Sequence, residues 1–152
     1  MSTYTATVRW SGDDPEAYSK GRYYRGHEWV FDGGTVVPAS AAPENVPPGT
    51  AKPAGVDPEE ALIAAISSCH MLFFLDYARR AGFVVSSYVD EASGVLEKRG
   101  DGKIAVTKVA LRPKVEWAGA APTAEQLADL HHRSHEDCFI ANSVNSEVTV
   151  EQ

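Results

Sequence analysis

The chain begins with an alternation of hydrophobic and polar residues. In "TYTATVRW", every second residue from Tyr4 to Trp10 would share one face, as in a half-buried β-strand. The segment "RYYRGHEWVFDGG" predicts a second strand that closes at Gly33 and Gly34, and "TVVP" predicts a short third strand. Between the first two, "GDDPEAYSKG" is rich in turn residues and predicts a connection without regular structure.

The pattern changes to that of a helix at residue 57. Asp57 suits the N-cap, Pro58 suits the first helical position, and Glu60 completes a capping-box-like start. Nothing breaks the helix before Gly82, so about 23 residues should be helical, with a length of roughly 35 Å. The middle of this helix is apolar nearly all round, which predicts burial on every side. A chain of 152 residues cannot easily surround it alone, so we expect a wrapped sheet or a partner subunit.

The second half of the chain predicts a strand pair, a helix and a closing strand. The segments "VVSSYVDEASGVLEKR" and "KIAVTKVALRPKVEW" flank "GDG", a hairpin turn signal. Thr123 and Gln126 have the spacing of a second capping box. The hairpins favour antiparallel pairing, so the predicted fold class is α+β and not doubly wound α/β. The segments of this single domain are N-terminal strands 3–37, a Pro/Ala-rich loop 38–56, a central helix 57–81, a strand hairpin 84–117, a second helix 123–136 and a C-terminal strand 144–151.

Charge and composition limit the partners that we expect. The net charge is −7 and the isoelectric point is about 5.2, which disfavours binding to nucleic acid or to an anionic membrane. The first ten residues carry no secretory signal pattern, and the apolar stretch 61–75 is too short and too polar to span a bilayer. We therefore expect a cytoplasmic protein. In that reducing compartment, a pair of cysteines is more often catalytic, redox-active or metal-binding than a structural disulfide.

The two cysteines, Cys69 and Cys138, have two interpretations each. Free cysteine is among the residues most often buried, so either thiol could simply fill the core. A reactive thiol needs a cation or a helix N-terminus to stabilise its thiolate, and Cys69 lies about three turns into its helix. If the two thiols meet in space, one could attack a peroxide to form a sulfenic acid, and the other could condense with it to a disulfide.

A metal site is the competing interpretation. His131, His135 and Cys138 are spaced at i, i+4 and i+7, which places them on one face of a helix if the helix continues as far as Cys138. Together with Cys69 or His70 they would supply four nitrogen and sulfur ligands of the kind that zinc prefers. However, the chain has no CxxC pair and no HExxH motif, and histidines at an exposed helix end are also favoured by the helix dipole.

The cysteine segments resemble a known family. "DPEEALIAAISSCHMLFFL", with Glu59 ten residues before Cys69, is similar to the signature of the OsmC/Ohr proteins, and "HEDCFIANSV" resembles their second cysteine motif. The resemblance covers nearly the whole chain and is strongest to the OsmC-like branch. It implies a thiol-dependent peroxidase that reduces organic hydroperoxides, without a cofactor and with an external dithiol as reductant. It also implies antiparallel sheets wrapped around two long central helices in an intertwined homodimer.

The same resemblance implies roles for individual residues. Cys69 would be the peroxidatic nucleophile and Cys138 the resolving thiol, and Glu59 would hold an arginine from the N-terminal strands. We expect this arginine to be Arg25, because "YxRgHEWxFDGG" resembles a strand of the OsmC-like branch. Arg22 is the reserve, and the spacing of three would put the two arginines on opposite faces of a strand.

Helix geometry gives a reason to expect a dimer. Ten residues of helix span about 15 Å, so Glu59 cannot touch Cys69 of its own helix. Either Arg25 bridges that gap, or Glu59 acts on the cysteine of a second subunit. We therefore expect a homodimer with active sites at the interface, and no nucleic acid or membrane partner.

The substrate pocket is expected to be apolar. Its entrance could be lined by the loop 38–56 and by Arg22, Trp29, His70, Met71, Phe73 and Phe74. His70 departs from the small or apolar residue of the best-characterised branches, and it could either tune the thiolate or make a polar contact in the interior. The alternative function is a non-catalytic or metal-binding OsmC-like protein that uses His131, His135 and Cys138.

Overall fold

The structure is a computed structural model that describes residues 1–152 as two compact units, 1–61 and 62–152. The helices are α1 (Pro15–Ser19), α2 (Pro58–Arg80) and α3 (Ala124–Asp137), with short 3-10 turns at Pro43–Asn45 and Ala141–Ser143. The strands are β1 (Ala6–Arg9), β2 (His27–Phe31), β3 (Val36–Ala39), β4 (Val85–Asp90), β5 (Ser93–Lys98), β6 (Ile104–Leu111), β7 (Pro113–Trp117) and β8 (Glu147–Val150).

The first unit contains a three-stranded antiparallel sheet in the order β1-β2-β3. Strand β2 begins only at His27, so the prediction that Arg22 and Arg25 lie on opposite faces of a strand is wrong. The chain turns at Gly21, where φ is 72°, and the Arg25 N–H donates to the carbonyl of Thr50 at 2.7 Å. That hydrogen bond to a loop takes the place of a bond to a neighbouring strand.

Helix α1 occupies the segment that was predicted to lack regular structure. The Asp14 carboxylate accepts hydrogen bonds from the N–H groups of Glu16 and Ala17, at 3.1 and 3.0 Å. Pro15 takes the first helical position. The Asp-Pro-Glu signal is the same one that starts α2, so the sequence carried this information.

Helix α2 has the predicted bounds to within a residue, and its start is a reciprocal cap. The Asp57 side chain accepts from the Glu60 N–H at 2.8 Å, and the Glu60 side chain accepts from the Asp57 N–H at 2.8 Å. The helix is not buried on every side within this chain. One stripe with a spacing of four residues is buried, namely Ile66, His70, Phe74 and Ala78. The opposite side is exposed at Ala64, Ala65, Ser68 and Leu72.

By length and composition alone, α2 could also cross a membrane, which differs from the expectation based on the shorter stretch 61–75. Its most apolar window of 18 residues has a mean hydropathy of 1.6. A single helix of this kind is weak evidence for a membrane span, because the core helix of a soluble protein meets the same criteria.

The second unit contains the predicted hairpin, but it is divided between two sheets. Strand β5 pairs with β6, and β4 pairs with β7, both antiparallel. Strand β8 pairs with β6 in parallel, so one pair departs from the antiparallel prediction. The mixed α+β class is confirmed.

Two apolar cores pack along the buried stripe of α2. The first is formed by Ile66, Val109 and Leu111, and the second by Phe74, Ala78 and Leu130. His70 lies between Ile66 and Phe74 on the helix, so a polar side chain separates the two cores. The predicted capping box of Thr123 and Gln126 starts α3, and α3 ends with Cys138 as its C-cap.

Candidate thiol site

The structure brings the two cysteines together. Cys69 is half-buried on α2, whereas Cys138 at the end of α3 is 1% exposed, and both are free thiols. The Cys138 sulfur lies 3.9 Å from the carbonyl oxygen of Ile66, to which its thiol donates, and accepts from the Ala141 N–H at 3.4 Å. Burial raises the pKa of Cys138 against the opposing effect of the Ala141 N–H, and the side chain of Cys69 raises it further.

The two thiols are therefore chemically unequal. Only the thiolate form of cysteine is a nucleophile, and access limits which reagents it meets. Cys138 is enclosed and stays protonated, so it is poorly suited to attack a molecule from solution. One side of Cys69 is exposed, and the enclosed thiol of Cys138 lies on its other side. This arrangement suits a sequence in which Cys69 reacts first and Cys138 reacts with the product.

An apolar rim, formed by Leu72, Phe73 and Phe139, lies about one turn after Cys69 on α2 and directly after Cys138. Phe73 lies one turn after Cys69, and its ring meets that of Phe139 edge-on, with centroids 5.0 Å apart and planes at 89°. Phe139 is 70% exposed and Leu72 is 61% exposed. Sequence reasoning missed Phe139, although an aromatic residue directly after the second cysteine was a usable signal. A bound molecule with apolar groups would be favoured here.

Two other predicted pocket residues lie at different depths. Met71 is half-buried on α2. Phe74 is fully buried in the second core and packs 4.4 Å from the His131 ring centroid, so the expectation that it lines an entrance is wrong. The four-residue stripe of α2 decides this, because Phe74 lies on the same face as His70 and Ala78.

His70 points into the protein and not towards a substrate. Its Nε2 lies 3.0 Å from Nδ1 of His131, and the two side chains are 1% and 3% exposed. Burial, followed by the charges of His131 and His135, lowers the pKa of His70 to about 4, and burial lowers the pKa of His131 to about 4. Both rings are thus neutral near pH 7, so one nitrogen donates and the other accepts. Of the two roles considered for His70, the structure contains the internal polar contact.

The acidic residue Asp90 acts on this histidine pair and is itself held by two hydrogen bonds. Asp90 accepts hydrogen bonds from the hydroxyl of Ser67 at 2.5 Å and from the N–H of Arg112 at 2.6 Å. Its negative charge raises the pKa of His131, opposing the larger effect of burial. The buried hydroxyl of Tyr88 has no partner, and burial, followed by the charge of Asp90, raises its pKa. No sequence pattern pointed to Ser67 or Asp90.

The predicted metal ligands do not converge. No group of three or more His, Cys, Asp or Glu side chains is arranged to hold a metal ion. His131 uses its Nδ1 in the contact with His70, and Nδ1 of His135 is buried without a partner. Helix α3 ends at Asp137, one residue before Cys138, so His131, His135 and Cys138 do not all lie within the helix, and they form no coordination sphere.

The candidate arginines lie in the first unit. Arg25 donates from Nη1 to the carbonyls of Gly21 at 3.1 Å and Tyr23 at 2.5 Å, and its guanidinium stacks 3.6 Å from the Tyr23 ring centroid. Glu59 has a buried carboxylate oxygen, Oε2, without a partner. None of the ion pairs of the chain joins Arg25 to Glu59.

The two arginines line different cavities of the first unit. Arg25 and Pro58, the first residue of α2, line the same apolar cavity of about 310 Å³. Arg22 is exposed and lines a different cavity of about 820 Å³. Arg25 is thus the arginine that shares a cavity with the start of α2. Trp29 lies on β2 and donates from its indole to Nε2 of His27 at 3.2 Å.

Comparisons with known proteins agree with this architecture. The family model for "OsmC-like protein" matches residues 49–152. An OsmC-like protein of unknown function from Vibrio cholerae is 51% identical, with 99% of each chain covered and a TM-score of 0.95. An organic hydroperoxide resistance protein from Elizabethkingia anophelis is 18% identical, with 99% of this chain and 94% of that chain covered and a TM-score of 0.73.

A second distant structure is the organic hydroperoxide resistance protein OhrB of Bacillus subtilis. It is 18% identical, with 98% of this chain and 96% of that chain covered and a TM-score of 0.68. At this identity the likeness to the two resistance proteins concerns the fold alone. No curated protein matches the chain.

Proposed function

The chain belongs to the OsmC-like protein family, and from this membership we propose that it is a thiol-dependent peroxidase that reduces organic hydroperoxides to alcohols. The observation that carries the proposal is the pairing of an accessible thiol, Cys69, with an enclosed thiol, Cys138. Some solved structures with this fold are named organic hydroperoxide resistance proteins, which supports the same chemistry.

In the first proposed step, the Cys69 thiolate attacks the terminal oxygen of the hydroperoxide. A sulfur–oxygen bond forms, the peroxide oxygen–oxygen bond breaks, and the alkoxide takes a proton from water and leaves as the alcohol. Cys69 is oxidised to a sulfenic acid. The half-buried position of Cys69 and the exposed side of α2 next to it support this role.

In the second proposed step, Cys138 attacks the sulfenic sulfur of Cys69. A disulfide bond forms, the sulfur–oxygen bond breaks, and the hydroxyl leaves with the thiol proton as water. An external dithiol then reduces the disulfide by two thiol exchanges, and no cofactor is needed. The effect of the Cys69 side chain on the pKa of Cys138 supports this pairing, because it acts only between thiols that lie close together.

The apolar rim supports an organic substrate over hydrogen peroxide. Leu72, Phe73 and Phe139 offer an alkyl or aryl hydroperoxide apolar surface next to the reacting sulfur. Burying a methylene group contributes about 0.8 kcal/mol, so an apolar substituent of several carbons is worth a large gain in binding.

We place Arg25 and Glu59 at the thiolate of a second copy of the chain, in a homodimer. A carboxylate oxygen of Glu59 is buried and unpaired, which is costly unless a cation is brought to it. Arg25 is held only by carbonyl groups and the Tyr23 ring, so it has donors left for a carboxylate and a peroxide. The exposed apolar side of α2 is a surface that a second copy would bury.

The peroxidase proposal is tested by titrating the reduced protein with cumene hydroperoxide and following its mass. We expect the loss of two hydrogens and a disulfide between Cys69 and Cys138. The Cys138→Ser variant should stop at a sulfenic acid, and the Cys69→Ser variant should not consume peroxide. A wild-type protein that keeps both thiols under excess peroxide would contradict the proposal.

The dimer is tested separately by size-exclusion chromatography with light scattering. We expect a mass of twice the 16.4 kDa chain at micromolar concentration. An Arg25→Ala protomer and a Cys69→Ser protomer, each inactive alone, should regain activity when mixed, because one site of the mixed dimer keeps both residues. A monomer, or a mixture that stays inactive although subunits exchange, would rule out the shared site.

A further inference from the structure

The buried pair of His70 and His131 links the two helices that carry the thiols. His70 directly follows Cys69 on α2, and His131 lies seven residues before Cys138 on α3, which puts both on nearly the same side of α3. The hydrogen bond of 3.0 Å between them is enclosed by apolar packing, with the Phe74 ring stacked on His131. The pair therefore holds the rotation of each helix at the level of its cysteine.

The surroundings of the two rings favour one pair of imidazole tautomers, that is, one direction of the hydrogen bond between them. If His70 donates from Nε2 to Nδ1 of His131, its own Nδ1 is an unpaired acceptor, and the structure has no partner for that atom. In the reverse arrangement, the same buried atom would be an unpaired N–H donor, which proteins avoid more strictly. We assign the first arrangement.

We propose that His70 and His131 are positioning residues for the disulfide step, setting the approach of Cys138 to Cys69 through their hydrogen bond. The inference rests on the disulfide of the proposed function. Neither imidazole needs to touch a reacting atom for this role. A disulfide tolerates little error, since its Cβ–Cβ distance of about 3.8 Å and its dihedral near 90° must both be met.

The pair should affect the two steps of thiol chemistry unequally. In the first step the partly exposed Cys69 attacks a reagent from solution, and this reagent is free to approach in the orientation that the attack needs. The second step joins two sulfurs that are held by separate helices, so a change in the rotation of either helix acts on it directly. A residue that contributed only to stability would change both steps together or neither.

The experiment uses dithiobis(nitrobenzoate) as a disulfide probe in place of a peroxide. The Cys69 thiolate breaks the disulfide of the probe, forms a mixed disulfide and releases one coloured thionitrobenzoate. The Cys138 thiol loses its proton to solvent, and the resulting thiolate attacks the Cys69 sulfur. This attack releases the second thionitrobenzoate. The reagent is reduced by two electrons, the protein dithiol is oxidised, and stopped-flow absorbance measures the two releases as separate rates.

Variants at position 131 differ in where they place a polar atom. His131→Asn puts an amide atom at the position of Nδ1, so it should keep the hydrogen bond and restore the second release to nearly the wild-type rate. His131→Gln is equally polar but reaches past that position, and His131→Leu cannot bond at all. Both should slow the second release by about 10- to 100-fold and leave the first within about twofold.

Two controls separate the possible outcomes. His132→Leu changes an exposed histidine on the same helix and should alter neither rate. On α2, His70→Gln puts an amide atom at Nε2 and should behave like the wild type, whereas His70→Asn should slow the second release. Since His131→Gln and His131→Asn differ by one methylene, the comparison holds even if the leucine variant does not fold.

The inference is overturned if His131→Gln closes the disulfide at the wild-type rate, or if His131→Asn is as slow as His131→Gln. A protein that reduces cumene hydroperoxide but shows no such difference keeps the proposed function without this inference. One that ignores peroxide but shows the difference keeps the positioning role without the peroxidase. A wild-type protein without a second release would overturn both the positioning role and the disulfide step.

Discussion

Mild acid should destabilise this protein through its two buried imidazoles. In the folded chain, the pKa values of His70 and His131 are lowered from about 6.5 to about 4 by burial. The unfolded chain therefore binds more protons between these values, so stability is complete above pH 6.5 and is lost as the pH falls towards 4. An imidazole whose pKa is about 6.5 in the unfolded chain and about 4 in the folded chain lowers the free energy of unfolding by about 2 kcal/mol at pH 5.

The two imidazoles together should lower the free energy of unfolding by about 3–4 kcal/mol between pH 7 and pH 5. That is a large share of the 5–15 kcal/mol that is typical of a folded protein. Urea unfolding at both pH values, followed by circular dichroism at one protein concentration, measures this difference. The concentration must be constant because association adds to the apparent stability.

The other groups with shifted pKa values do not produce the same effect in this window. Tyr88 and Cys138 have raised pKa values and stay protonated throughout. The pKa values of the exposed carboxylates Asp76 and Asp101 are lowered by hydrogen bonds to arginine, so their contribution disappears only below pH 4. Among the groups with shifted pKa values, only His70 and His131 therefore change protonation between pH 7 and pH 5.

The control is the double variant His70→Gln, His131→Asn, which keeps a polar contact but cannot titrate. Its free energy of unfolding should vary by less than about 1 kcal/mol over the same range, because the buried proton acceptors are gone. If the double variant loses as much stability as the wild type, the acid sensitivity comes from elsewhere and the reasoning from burial is refuted.

Three further predictions concern the cap, the core and the arginine. Thr123→Ala removes the N-cap of α3 and should lower the free energy of unfolding by about 1 kcal/mol, measured by urea titration. Phe74→Ala should lower it by about 3–5 kcal/mol, whereas Phe139→Ala at the exposed rim should stay within about 0.5 kcal/mol; equal losses would contradict the assigned burial. Arg25→Lys should slow peroxide reduction by about tenfold or more, since a charge-assisted hydrogen bond is worth about 1.5–3 kcal/mol. Arg22→Lys should not, and the reverse result would move the arginine role to position 22.

Local chemistry was sufficient to predict where the helices begin. The caps at Asp57 and Thr123 depend on hydrogen bonds between residues three apart, so neighbouring letters contain the whole interaction. The same logic predicts α1 from Asp14 and Pro15, and it was missed only because the surrounding segment is rich in turn residues. The "GDG" turn likewise joined the strands that were expected to pair.

Position within the sheets was harder to predict because it depends on distant partners. Arg25 has the residue pattern of a strand, yet its N–H bonds to Thr50. The hairpin of residues 84–117 divides where the side chain of Asp90 accepts from the Arg112 N–H, a contact between residues far apart in the chain. Alternation alone cannot show at which residue a strand changes its neighbour.

The sequence by itself determined the start of each long helix, the α+β class, and, through its resemblance to a family, the two cysteines of the proposed peroxidase. These are local patterns or patterns of residue identity, and they survive without knowledge of contacts. Only the tertiary structure decided that Cys138 is enclosed behind Cys69, and that His70 bonds to His131 in place of facing a substrate. The physical reason is that burial and pairing are properties of two segments that meet in space. The sequence of one helix does not specify which face of the other helix will pack against it.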